Sequence, residues 1–532
     1  MKDSSHLGPL ERAVHSRLAT LGKERVSQRL WAKETQLFSD DPSKAGEIMN
    51  RLGWLSLLEP MRASLGEIGS FAAEIREQRF RDVVLLGMGG SSLCPDLLRS
   101  VFGATSPLRL HICDSTDPEA IRAIERKTDP DHTLFLVASK SGTTAEINAF
   151  TDYFFARRGS GENFVAITDP GTQLEAAAKE RGFRRIFLNP PDIGGRFSAL
   201  SLFGLLPAAL LGIDLDAFLT GAEAMATSIQ KGELNPGTWL GAVLAEGAIE
   251  GRDKLTIYAP PELFLLADWI EQLVAESTGK NGKGILPVVH EPLLEPKEYG
   301  DDRLFVFLLN PTNRTPRVME RIEALRRAKH PVIAIEVPDP ISLGGEFFRW
   351  EFATAVAGSI LGINPFDEPD VRKAKELTQW FLNEYEKTGS FEIEESQAPQ
   401  VFEAPASGDY VALLAFLPPT EEVWNELQGL RQMIGRKHGV ATTLGFGPRY
   451  LHSIGQYYKG GPKRGRFLLF TCQDTELPIP GRKYGFSVLK QAQALGDCQA
   501  LKEAGRPVGR LSIRGKLLPG LRTVRAEIEK IL

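Results

Sequence analysis

The segment Ser139-Lys140-Ser141-Gly142-Thr143-Thr144 carries the strongest chemical signal in the chain. It follows an apolar run of strand length (TLFLVA) and precedes a helical pattern. A strand-to-helix junction exposes unpaired backbone N–H groups at the positive end of the helix dipole. Gly142 permits close approach, Lys140 supplies a point charge, and hydroxyls come from Ser139, Ser141, Thr143 and Thr144. A helix cap needs only one hydroxyl, so the surplus predicts a bound phosphate.

A second loop, Gly87-Met88-Gly89-Gly90-Ser91-Ser92, also ends a strand-like run. It has neither the GxGxxG spacing of a dinucleotide site nor the GK[ST] of a Walker loop. By itself it reads equally as a tight turn or a ligand contact. It gains weight beside the first loop, because ligands gather at the carboxyl ends of parallel strands. A third polar loop, Asp192 to Ser198, sets Arg196 between Gly195 and Phe197. A guanidinium there stays charged and offers a fork of donors to an oxyanion; a structural ion pair is its other reading.

For acid–base chemistry, Gln272 and Glu276 share one face of a helical stretch (LADWIEQLVAESTGK). Glu276 falls near the helix end, where the dipole disfavours a carboxylate. Spacing alone also allows a solvated surface side chain. Of the eight histidines, His452 lies in a Gly- and aromatic-rich segment (GFGPRYLHSIGQYY), and His290, after LPVVH, is its rival. Lys373 and Lys375 are two apart on a predicted helix, so at most one faces a pocket. Spacing does not choose between them, and a solvated basic face is the alternative.

These residues need a scaffold that gathers loops at strand ends. Residues 1–78 read as helices. Apolar runs then alternate with helices (VVLLG, TLFLVA, NFVAIT, RIFL), the pattern of a parallel sheet covered on both faces. This predicts a first α/β domain over 79–215 and, from KLTIY, RLFVFLL and PVIAIEV, a second over 216–384. Residues 385–408 read as a linker. Residues 409–532 form a C-terminal segment holding His452, expected to complete or extend the second sheet.

Composition narrows the function classes. With 42% hydrophobic and 25% charged residues over 532 positions, the chain is expected to be globular and multidomain. The net charge of -5 does not call for nucleic acid or an anionic membrane. The stretch after Lys459 is basic, and reads as a solvated surface. The four cysteines have no CxxC spacing, so neither a zinc knuckle nor a redox pair is expected. Few cysteines and a polar start (MKDSSH) predict a cytoplasmic protein. The most apolar stretch, 197–213, is interrupted by Gly204, Pro207 and Gly212, and predicts no membrane span.

Together these segments resemble the phosphoglucose isomerase family over roughly residues 80–380 and 440–460. GMGGSS resembles the family's GIGGS loop and implies sugar contact at Gly90 and Ser91. SKSGTT resembles its phosphate loop and implies Ser139, Lys140, Ser141 and Thr144. GGRFS implies Arg196 near the reacting carbons. QLVAESTGKNGKG implies Glu276 as the base, with Gln272 beside the substrate. LHSIGQ implies His452 as the ring-opening histidine. The segment from Asn364 to Lys375 is similar to a family pattern near NPF-x-QPGVE-xx-K, implying Lys375 as a helper in ring opening. Here Glu368 stands for a glutamine, Asp370 for a glycine and Arg372 for a glutamate. The histidine segment follows the lysine, an order similar to the isomerase half of fused transaldolase–isomerase proteins, with no transaldolase half expected here.

The resemblance implies two sugar-isomerase-type three-layer α/β domains with mainly parallel sheets, N-terminal helices and a C-terminal extension. It implies an aldose–ketose isomerase of glucose 6-phosphate and fructose 6-phosphate, working through a cis-enediolate without metal or other cofactor. It further implies a homodimer in which His452 reaches the partner subunit's site. An isomerase of another hexose phosphate, such as mannose 6-phosphate, and a non-catalytic sugar-phosphate-binding regulator are the alternatives.

Overall fold

The computed structural model describes residues 4–391 and 405–532. The chain begins with a short strand, β1 (Ser4–His6). Residues 1–78, read as helical, thus also give a strand to a sheet built mostly from later residues. The Leu58–Glu77 helix leads into the first sheet. Its strands are β2 (Asp82–Gly87), β3 (Arg109–Cys113), β4 (Thr133–Ala138), β5 (Phe164–Thr168) and β6 (Arg185–Leu188). Their order is β3-β2-β4-β5-β6 and all pairs are parallel. β2 and β4 are buried along their whole length. Helices on both faces therefore leave no polar alternation in their sequences.

The second sheet contains β7 (Lys254–Tyr258), β8 (Leu286–Val289), β9 (Arg303–Leu309) and β10 (Val332–Glu336). Its order is β1-β10-β9-β7-β8, parallel except for β1. The Leu343–Leu361 helix is buried almost throughout; its charged Arg349 pairs with Glu346 one turn earlier at 2.6 Å.

The C-terminal segment does not extend that sheet. β11 (Tyr410–Phe416), β12 (Ala441–Phe446), β13 (Gly465–Cys472) and β14 (Val508–Ile513) form a third parallel sheet, ordered β12-β11-β13-β14. Its edge β12 approaches β8 through side chains instead of a backbone ladder. Arg431 donates to the carbonyls of Val289 and Thr442, at 3.0 and 2.6 Å, and Glu291 accepts from Thr442 N at 2.8 Å. The strand run YVALLAF carries no mark of which sheet it joins, and buried groups at the seam decide it. The expected 385–408 linker begins inside the Arg372–Thr388 helix, and its positions 392–404 lie outside the described residues.

Among the described residues no helix is long and apolar enough to cross a membrane. Cys94, Cys113, Cys472 and Cys498 are all free thiols. The basic C-terminal stretch is not simply a solvated surface. Lys459 is buried against Asp497 at 2.5 Å, and Lys490 is buried between Asp117 and Asp474.

Candidate active site

The first two predicted loops lie side by side because β2 and β4 pair in register, Gly87 opposite Ala138. The third packs onto the Gly87–Ser92 loop. A Cβ on Gly90 would stand 2.0 Å from the carbonyl oxygen of Gly195, so only glycine permits this approach. Gly89, at φ +56°, lies against the backbone of His452 and the amide of Gln272. Two of the loops, the histidine segment and Gln272 therefore meet around a pair of glycines.

In the phosphate-type loop, Ser139 is buried and its Oγ accepts from Gly142 N at 3.1 Å. The hydroxyls of Ser141 and Thr143 are 2.9 Å apart and exposed. Thr144 precedes the Ala145–Arg158 helix without capping it through its side chain. Lys140 departs from the expected free point charge. Its Nζ pairs with Asp169 and donates to the carbonyl of Pro191 at 2.9 Å. Lys140 thus tethers the loop to the ends of β5 and β6.

Arg196 is buried, and its neighbour Phe197 stacks on Trp54 and packs on Phe366, with ring centroids 5.3 Å apart in both pairs. The guanidinium is held on three sides. Nε donates to Ser277 Oγ at 2.8 Å, and Nη2 to the carbonyls of Pro365 and Asp367 at 2.7 and 3.0 Å. Nη1 is shared by two carboxylates, Glu368 at 3.1 Å and Glu276 at 3.6 Å. The buried ammonium of Lys280 secures the same loop through Asp367 at 2.7 Å, and burial lowers its pKa to about 8.

Glu276 occupies the last turn of the Phe264–Thr278 helix. Gln272, one turn earlier, donates to Glu276 Oε2 at 3.1 Å and to the carbonyl of His452 at 2.9 Å. Burial pushes the Glu276 carboxyl above its usual range, and nearby Glu368 adds to the rise; Arg196, Gln272 and His452 pull the other way. Glu368 goes in the opposite direction. Burial would raise it, but Arg196, aided by Lys280 and Arg51, holds it below the usual carboxylate range. Two carboxyls on one guanidinium are thus driven apart, as a base and a permanent anion would be.

His452 closes the turn Arg449–His452, which follows β12. Arg449 locks that turn between domains, donating to Asp114 at 2.6 Å and Asp96 at 3.1 Å, with Asp268 at 3.6 Å. Next to it, Ser453 donates to Glu271 at 3.1 Å; burial, with Asp268 nearby, pushes that carboxyl up to about 8. His452 Nε2 lies 3.0 Å from Oε1 of Glu146, a buried carboxyl at the start of the Ala145–Arg158 helix. Burial would raise Glu146, but His452 and more weakly Lys375 hold it low. His452 therefore lies beside Glu146 and Gln272 of its own chain. The C-terminal sheet brings it there.

The rival His290 is buried, stacked on Phe264 at 3.5 Å and bonded to Asp268 at 2.5 Å, in a structural role. Lys373 pairs with Glu503 at 3.3 Å, whereas exposed Lys375 is the lysine whose charge acts on Glu146. Asp370 bonds Gln456 through backbone and side chain, and Arg372 pairs with Glu376 on the surface. Among the described residues no group of three or more His, Cys, Asp or Glu is arranged to hold a metal ion.

A family profile described as phosphoglucose isomerase matches residues 61–285. A glucose-6-phosphate isomerase of Synechococcus sp. is 39% identical over 217 residues, 38% of this chain and 40% of that protein. One from Thermus thermophilus is 30% identical over 395 residues, 63% of this chain and 91% of that protein. The chain belongs to the phosphoglucose isomerase family. A solved structure of a hypothetical protein from Thermus thermophilus covers 71% of this chain and 99% of its own, with 28% identity and a TM-score of 0.59. In this phosphoglucose isomerase family member, Gly90, Ser139, Arg196, Gln272 and Glu276 fall inside the profile-matched span, while Lys375 and His452 lie outside it.

Sequence reasoning missed Glu146, Glu368 as an Arg196 partner, Ser277 and Lys280. An acid in a first helical turn, like Glu146, is ordinary helix chemistry. Only the arrival of His452 gives it a role. Ser277 and Lys280 carried a local hint, lying in the same ESTGK segment as Glu276.

Proposed function

We propose that this protein interconverts glucose 6-phosphate and fructose 6-phosphate by ring opening followed by proton transfer through a cis-enediolate. One observation carries the reading. Glu276, with a raised pKa, shares Arg196 Nη1 within a site that also receives the His452–Glu146 pair.

The exposed hydroxyls of Ser141 and Thr143, with Thr144 and the first N–H groups of the Ala145–Arg158 helix, hold the phosphate. Ser139 shapes this loop and Lys140 tethers it. Binding the inert end of the sugar converts remote affinity into orientation of C1 and C2. Gly90 and Ser91 floor the sugar site. His452 donates a proton to the ring oxygen as the anomeric hydroxyl gives one up, with Glu146 orienting the imidazole and Lys375 adding positive charge. Glu276 then removes the proton from C2 of the open aldose and returns it to C1. A proton moves from O2 to O1 as the ketose forms, so no redox partner is needed. Arg196 stabilises the negative charge on the enediolate oxygens, an interaction formed mainly in the transition state. Gln272 holds Glu276 and the His452 backbone in one frame, and its own Oε1 has no partner among the described residues, leaving an acceptor for a sugar hydroxyl.

The proposed setting is the cytoplasm, and the proposed assembly is a homodimer in which each chain carries a complete set of these groups. The test is conversion of fructose 6-phosphate to glucose 6-phosphate under excess chelator, comparing wild type with Glu276→Gln. Wild-type turnover should survive the chelator, and the variant should lose about a hundred- to ten-thousandfold. Near-native turnover in the variant would remove Glu276 as the base. Loss to the chelator would show that a metal takes part.

A further inference from the structure

The carboxylate of Glu146 faces more than His452. Gln493, on the C-terminal Phe486–Glu503 helix, donates from Nε2 to Glu146 Oε1 at 2.7 Å. This is the same oxygen that lies 3.0 Å from His452 Nε2. The other end of the Gln493 amide accepts from Thr116 Oγ1 at 2.7 Å. All three partners of this relay are buried, with Thr116 at 0%, Gln493 at 3% and Glu146 at 6% exposure. An amide bonded at both ends in a water-poor site has one orientation, and it fixes the carboxylate it touches.

The relay crosses two parts of the fold. Thr116 follows β3 and Glu146 follows β4, both in the first sheet. Gln493 and His452 both come from the C-terminal segment. The same helix is anchored one turn earlier by Lys490, which donates to Asp117 and Asp474, each at 2.7 Å. Lys490 is thereby committed elsewhere, and the charged groups acting on Glu146 are His452 and Lys375.

We propose that Gln493 is a positioning residue for ring opening, fixing Glu146 so that it orients the His452 imidazole toward the sugar ring oxygen. The C-terminal segment therefore supplies both the acid–base group and the residue that aligns its partner. The inference rests on the isomerase reading above, and specifically on His452 as the ring-opening group.

The experiment compares Gln493→Leu and Gln493→Glu in the full chain. Gln493→Leu removes both hydrogen bonds at nearly constant volume. Its turnover of cyclic fructose 6-phosphate should fall about tenfold or more. Its affinity for an acyclic five-carbon aldonic acid phosphate, which mimics the opened enediolate, should stay at the wild-type value. Gln493→Glu keeps the shape. While its new carboxyl holds a proton it donates to Glu146 as the amide did; once ionised, it sets two carboxylates in contact. That variant should work near the wild-type rate at acid pH and fail as pH rises, moving the alkaline limb of kcat/KM toward acid. Wild-type turnover in Gln493→Leu, a matching loss of affinity for the acyclic mimic, or an unchanged pH profile in Gln493→Glu would each overturn the proposal. An inactive wild type would overturn both readings, whereas an active wild type with an equally active Gln493→Leu overturns this one alone.

Discussion

Glu368→Gln isolates the electrostatics at the proposed base. Glu368 and Glu276 lie 3.1 and 3.6 Å from the same Arg196 nitrogen, so their oxygens are no more than about 7 Å apart. At an effective dielectric near 20, two unit charges at about 7 Å repel by about 2.4 kcal/mol, or ~1.7 pH units. The Glu368 side chain is 42% exposed. Solvent screening brings the expected effect down to about one pH unit. Glutamine keeps the shape and an oxygen for Arg196 Nη1 but removes the charge. The folded-state pKa of Glu276 is raised, partly by Glu368. Removing that anion lowers it, and the base stays ionised at lower pH. The assay is kcat/KM for fructose 6-phosphate against pH, in wild type and variant. The acid limb reports the base of the free enzyme and should move down by about one pH unit. Glu368→Asp, which keeps the charge, should leave it near the wild-type position. An acid limb that stays fixed in Glu368→Gln, or moves upward, would refute the shared-guanidinium reasoning.

Two further outcomes concern stability and packing. Gly90→Ala forces a methyl to within 2.0 Å of the Gly195 carbonyl, which is backbone and cannot swing aside. A loss of about 1–3 kcal/mol in stability, together with lowered turnover, is expected from thermal melts and assays, because the loops bearing Ser91 and Arg196 must separate. Glu351 is buried, and burial drives its carboxyl well above the ordinary range. The folded chain keeps that proton while the unfolded chain loses it above about pH 4.3, so wild-type stability falls as pH rises from there toward the folded pKa. Glu351→Gln removes this slope, and calorimetry should show a Tm advantage for the variant that grows as pH rises above about 4.3. Parallel Tm curves would show that Glu351 is not the group responsible.

The sequence by itself determined the local parts of this protein. Apolar runs ending in Ser- and Gly-rich loops specified parallel strands with helices behind them, because a strand buried on both faces has no polar alternation and a helix start leaves N–H groups free. The one-turn spacing of Gln272 and Glu276 placed both on one helix face, where the amide and carboxylate are 3.1 Å apart. What tertiary structure alone decided was which distant groups meet. His452 reaches Glu146 across 306 residues, Gln493 reaches the same carboxylate across 347, and Arg196 meets Glu368 across 172. No periodicity links such positions. A strand pattern records which faces are buried and not which sheet receives it, so the third sheet could not be read from YVALLAF. A lysine's type does not say whether its charge is free, and the pairing of Lys140 with Asp169 is set only by the fold. The pKa of Glu276 arises from burial and from a second carboxylate on the same guanidinium, quantities that exist only once the chain has folded.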